Sequence, residues 1–198
     1  MNQDHIFIDV TPSNLGVKAE IIDIAVIRSD RKGAVLKAFA TRVAPHGPVD
    51  QAGGSGYTEL EWRDAVPFKS AMNMIRQMLL TPFSAEYVVV ANRVEVCRSI
   101  LRRLNDDSEF FSNRRWLDMQ QLAWPLVAND IVPNCSLQAL SQHYSLPFES
   151  GTGADGNCTA LARCYWAMMR RYRAALLGEE MARELIGEPL INVAKMLF

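Results

Sequence analysis

The chain has 198 residues, 22 Asp and Glu against 21 Lys and Arg, a formal net charge of -1 and 49% hydrophobic residues. That length fits one domain with one core, and the apolar share excludes a disordered chain. Balanced charge argues against sequence-blind binding of nucleic acid through bulk charge, but leaves room for a local basic groove.

In chain order, His5 to Val10 (HIFIDV) is an apolar run ending beside an acid, the pattern of a strand covered on both faces. The start MNQDHIFIDV has no basic region followed by a long apolar one, so no secretory signal is expected. Thr11 to Lys18, with Pro12, Asn14 and Gly16, predicts a turn or loop. Ile21 to Arg28 and Ala34 to Val43 predict two more strands, joined as a hairpin through Arg31-Lys32-Gly33. The Pro- and Gly-rich stretch from Pro45 to Tyr57 predicts a long surface loop.

Ser70 to Leu80 spaces Ala71, Met74, Ile75, Met78 and Leu79 as one helical face. Glu86 to Ala91 is a β-branched strand, and Val94 to Asn105 a helix with Val94, Cys97, Ile100 and Leu101 inward. Asp118 to Val127 predicts a further helix, followed by a loop from Asn129 to Asn134. Ser136 is the expected N-cap of a helix carrying Leu137, Leu140 and Tyr144. Pro147 to Gly156 predicts a loop, and Asn157 to Leu177 the longest helix, with Asn157 as its N-cap. Gly178 breaks that helix before a shorter one over Glu179 to Ile186 and an apolar end over Leu190 to Phe198. A strand meander followed by alternating strands and helices implies an α/β sandwich with a central mixed sheet. Asp9 then stands at the sheet's carboxyl edge, where such folds build their sites.

Cys97, Cys135, Cys158 and Cys164 form no CxxC pair, and His5, His46 and His143 lie far apart. No Cys/His zinc site is expected, and free thiols suit a reducing, cytoplasmic setting. No run of about 18 apolar residues is present, so no membrane span is expected.

The order of segments resembles the DnaQ-like 3′–5′ exonucleases, the proofreading-subunit and RNase T group with a ribonuclease H-like fold. The family's first strand reads apolar-Asp-x-Glu-Thr, followed by a strand like Ile-Ile-Glu-Ile-Ala. Here Ile6-Phe7-Ile8-Asp9-Val10-Thr11 is followed by Ile21-Ile22-Asp23-Ile24-Ala25. Ser55-Gly56-Tyr57-Thr58 is similar to its His-Gly-Ile-Thr segment. Val90-Ala91-Asn92-Arg93-Val94-Glu95-Val96-Cys97 is similar to Val-Ala-His-Asn-x-x-Phe-Asp. Asp118-Met119-Gln120-Gln121-Leu122-Ala123 is similar to Asp-Thr-x-x-Leu-Ala, and Ser136 to Leu140 matches Ser-Leu-Asp-Ala-Leu. Thr152 to Cys158, before a long helix, falls on His-x-Ala-x-x-Asp-Ala. The resemblance spans roughly residues 5–172. It implies a three-layer ribonuclease H-like sandwich over residues 1–177 and a helical extension over 178–198.

It also implies a chemistry, two-metal phosphodiester hydrolysis, in which divalent ions about 3.5–4 Å apart clamp the attacking and leaving oxygens. Hard cations need several carboxylates, and a His takes the proton from water. At the matched positions Asp9 keeps its acid. The Glu position is Thr11, the second Asp Cys97, the base His Thr152 and the last Asp Asn157. One carboxylate cannot hold two Mg²⁺ ions, so the expectation is an inactive exonuclease fold that works by binding and needs no cofactor. The alternative is an active 3′–5′ exonuclease with a site rebuilt around Asp9, with Asp118 and Asp155 joining it on Mg²⁺ or Mn²⁺.

Two kinds of partner are expected. Arg93, Arg98, Arg102 and Arg103 cluster on or before one helix, and Arg163, Arg170, Arg171 and Arg173 on the last long one, which suits single-stranded nucleic acid. The 178–198 extension carries Met181, Leu185, Ile186, Leu190, Ile191, Leu197 and Phe198, an apolar surface that must be covered. It packs on its own core, on a second copy or on a protein partner.

Overall fold

A computed structural model describes residues 4–13, 20–45, 64–79, 87–104, 115–149 and 153–177. Thr152, Ser55 to Thr58, most of the 45–57 loop and the whole 178–198 extension lie outside the described residues. The strands are β1 (Asp4–Pro12), β2 (Ile21–Ser29), β3 (Val35–Arg42), β4 (Tyr87–Ala91) and β5 (Arg115–Asp118). The helices are α1 (Phe68–Leu79), α2 (Val94–Leu104), α3 (Met119–Ala128), α4 (Leu137–His143) and α5 (Gly153–Leu177).

The strands form one five-stranded mixed sheet in the order β3-β2-β1-β4-β5. β1, β2 and β3 pair antiparallel, with Asp9 opposite Ala25 and Thr11 opposite Asp23. β1–β4 and β4–β5 pair parallel, which requires the helical crossovers that separate them in the chain. Residue parity then sorts the core into two layers. Phe7, Ala25, Ile27, Val88 and Val90 face α5, packing on Leu161 and Tyr165, with α3 and α4 on the same side. Ile6, Ile8, Ile24, Val26 and Val89 face the other way, against α1 and α2 through Ala71, Ile75, Cys97 and Ile100. Both faces of the sheet are therefore covered, which explains why these strands read as continuous apolar runs. The result is the three-layer α/β sandwich that the sequence implies.

The hairpin between β2 and β3 is closed by Asp30, whose Oδ1 accepts from the backbone N–H of Lys32 (2.8 Å) and Ala34 (2.9 Å). Gly33 takes a φ of 91° in that turn, a conformation that costs L side chains strain. A Cβ there would also lie 3.2 Å from the Trp166 ring. Trp166 is itself fully buried, and its Nε1–H donates to Ser29 Oγ at 3.2 Å.

Three sequence expectations are corrected. Thr11 and Pro12 continue β1, because they still pair with β2 across an irregularity at Thr11/Pro12. Arg115 to Asp118 forms a strand with no turn before α3, so Asp118 ends β5 and caps the helix as well. α5 begins at Gly153 and not at Asn157, so Asn157 lies inside the helix and is not its N-cap. Ser136 does cap α4, its Oγ accepting from Ala139 N–H at 3.2 Å. Among the described residues, no helix is long and apolar enough to cross a membrane.

Candidate functional site

Odd-numbered side chains of β1 face α5, so Asp9 points toward the helix whose first turns carry the last resembling motif. The helix is fixed there by a second acid. Asp23, buried on β2, accepts the backbone N–H of Ala154 on its Oδ2 at 2.8 Å. This bond anchors the first turn of α5 over the sheet edge. Three residues on, and on the same helical face, Asn157 Nδ2 donates to Asp9 Oδ2 at 3.3 Å. The structure thus brings together Asp9 and Asn157, a pair 148 residues apart in sequence.

Asp9 sits in a site that disfavours charge. Burial pushes its carboxyl up to about 7 from 3.8; the Asn157 hydrogen bond opposes this, and the nearby Asp23 adds to it. Cys97, 5% exposed, and the buried Cys158 are close enough for Asp9 to raise their thiols further above the level that burial sets. Both are therefore neutral thiols. Thr11 lies two residues beyond Asp9 on the same strand face, opposite Asp23.

Asp118, like Asp23, serves the backbone. Asp118 accepts from Gln120 N–H on Oδ1 (2.8 Å) and from Val94 N–H on Oδ2 (3.0 Å), so one carboxylate caps both α3 and α2. Glu95 is exposed on α2, and Asp155 lies half-buried in the first turn of α5. The imagined gathering of Asp9, Asp118 and Asp155 is not formed: among the described residues, no group of three or more His, Cys, Asp or Glu side chains could hold a metal ion. Asp9 beside a carboxamide and two protonated thiols, with the nearby Asp23 bonded to the Ala154 N–H, does not fit a pair of hard divalent cations.

Arg93 is exposed on the β4–α2 turn. The Arg98 guanidinium lies over Trp116, 5.8 Å from the ring centroid. Arg102 and Arg103 lie on the last turns of α2. On α5, Arg171 donates to His143 Nε2 at 2.9 Å, and that imidazole is held below its ordinary pKa by burial first and by Arg171 second. His5 is half-buried against the rings of Phe7, Tyr165 and Trp166, and burial lowers it to about 4.

Sequence reasoning missed one feature, a cleft of about 670 Å³ lined by Asn92, Arg93, Gln120, Gln121, Trp124 and Cys135, among others. The available signal was the spacing of Gln120, Gln121 and Trp124 on α3, opposite the inward Met119 and Ala123.

A mixed five-stranded sheet in this order, covered by helices on both faces, is a ribonuclease H-like α/β fold. Solved structures share it. Exonuclease I from Methylocaldum szegediense aligns with a TM-score of 0.70 at 12% identity, over 91% of this chain and 43% of that one. E. coli exonuclease I, in complex with an oligonucleotide, gives 0.69 at 13% identity, over 89% and 42%. The RNase domain of the yeast Pop2 protein gives 0.59 at 12% identity, over 86% and 77%. At these identities the likeness is one of fold, and the chain spans about two fifths of the exonuclease I chains. No model of a known protein family matches the chain, and no curated protein matches it in sequence.

Proposed function

We propose that this exonuclease-fold domain binds single-stranded nucleic acid without cutting it. The observation that carries the reading is the Asp9–Asn157 pair: a carboxamide stands where the motif resemblance calls for the last metal-binding Asp. The neighbouring acids support it, since Asp23 and Asp118 are committed to helix N–H groups. A hydrolytic site collects negative charge to hold cations. Here burial raises the Asp9 carboxyl to about 7, and Asn157 and Cys97 stand at other matched acid positions, so a phosphate meets less repulsion than at a full set of carboxylates.

E. coli exonuclease I has been solved with an oligonucleotide on the same fold, which favours a strand as the ligand class. Arg93 and Arg98, with Arg102 and Arg103 further along α2, would supply phosphate contacts. The four free cysteines suit a reducing compartment such as the cytoplasm. In this reading residues 1–177 are the folded unit, and 178–198 is an extension that covers its apolar residues on the core, a second copy or a protein partner. Deleting 179–198 and measuring mass in solution separates those cases.

The test of binding is a titration of labelled single-stranded DNA and RNA at two salt concentrations. Affinity that falls as salt rises is expected, and no binding even at low ionic strength overturns the reading.

A further inference from the structure

The cleft between the β4–α2 turn, α3 and the loop before α4 has a composition of its own. Its lining excludes Asp9, Cys97 and Asn157. Trp124 stands at its wall, 62% exposed, an unusual state for an indole with no core role. Among the described residues of the lining, Arg93 carries the positive charge and none is a carboxylate, while the nearby Asp118 is bonded to the Val94 and Gln120 N–H groups. The Cys135 thiol is pushed above its ordinary pKa by burial and by Asp118, so it brings no negative charge.

The remaining polar side chains of the lining are the carboxamides of Asn92, Gln120, Gln121 and Asn134 and the Ser136 hydroxyl, which caps α4. Gln120 and Gln121 share the face of Trp124 on α3. Asn92 adds a buried Oδ1 that has no hydrogen-bond partner among the described residues. Pro125 has no N–H, which leaves the Gln121 carbonyl without its helical donor beside Trp124. Carboxamides present paired donors and acceptors, the edge chemistry of a base. A flat indole offers a stacking face, and a lone guanidinium suits a phosphate. The volume lies within the usual range for small-ligand sites.

We propose that this cleft holds a nucleobase with its phosphate, the base stacked on Trp124, its edge met by Gln120, Gln121 and Asn92, and the phosphate on Arg93. The inference rests on the binding reading above and places a contact point for the strand away from Asp9. A free nucleotide and one unit of a strand share this chemistry.

The experiment uses the full chain, with anisotropy of labelled oligothymidylate and oligoadenylate and competition by AMP and dTMP. Trp124→Ala is expected to weaken strand binding roughly 5- to 150-fold, while Trp124→Phe keeps most of it. Arg93→Ala should make the log–log salt slope shallower by about 0.7. Competition by the mononucleotides at millimolar concentration would identify a free nucleotide as sufficient. Strand binding without such competition would identify a strand segment. Because Trp124 is exposed, thermal melts of the variants should overlay the wild type. Strand binding unchanged in Trp124→Ala overturns the cleft and leaves the binding reading standing. Asp9-dependent shortening of the strand, with Trp124 still required, overturns the non-cleaving reading and leaves the cleft. Absence of any binding by the wild type overturns both.

Discussion

Replacing Asp118 with Ala removes one carboxylate and two helix caps together. Its oxygens accept from Gln120 N–H at 2.8 Å and from Val94 N–H at 3.0 Å. Loss of an N-cap acceptor costs about 0.5–2 kcal/mol, so the pair amounts to about 1–4 kcal/mol. For a chain of this length each kcal/mol lowers Tm by roughly 2–4 °C. Asp118→Asn keeps one acceptor oxygen and should lose about half as much. The assay is urea unfolding followed by far-UV circular dichroism, comparing midpoints at constant slope. An Ala variant within about 0.5 kcal/mol of wild type would refute the capping role and return Asp118 to the pool of candidate ligands.

Asp9 should make stability fall with pH. Its folded pKa is raised to about 7 from 3.8, so the folded chain keeps a proton that the unfolded chain releases. That contribution is complete below about pH 4 and is lost as pH rises through about 7, a change of a few kcal/mol. Asp9→Asn removes the titration, so it should be more stable than wild type at pH 8 in urea unfolding. Parallel profiles for the two proteins between pH 5 and 8 would contradict this. Gly33→Ala should cost about 1–2 kcal/mol from the φ of 91° alone. The tight approach to Trp166 should add to that and alter the near-UV signal, and a melt equal to wild type would rule the strain out.

The strands of the sheet interior were readable because burial on both faces writes near-continuous apolar runs, as in Ile21 to Ile27, where Asp23 is the single polar residue. β5 was not, because it is only four residues long and passes into α3 with no turn residue, Asp118 serving both elements. The start of α5 was misplaced because Gly153 and Gly156 are poor helix formers held in place by a tertiary bond to Asp23. The same bond decides the role of Asn157. Motif spacing placed Asn157 near Asp9, but only the anchored helix shows its side chain donating to that carboxylate. The cleft under Trp124 draws on the β4–α2 turn, α3 and the loop before α4, and no local pattern joins segments that distant.

The non-cleaving reading is tested most directly by incubating 5′-labelled single-stranded DNA and RNA with the full chain and Mg²⁺ or Mn²⁺, beside the Asp9→Ala variant. Strands that keep their full length with both proteins are the expected result. Stepwise shortening from the 3′ end by the wild type, abolished in Asp9→Ala, would contradict it.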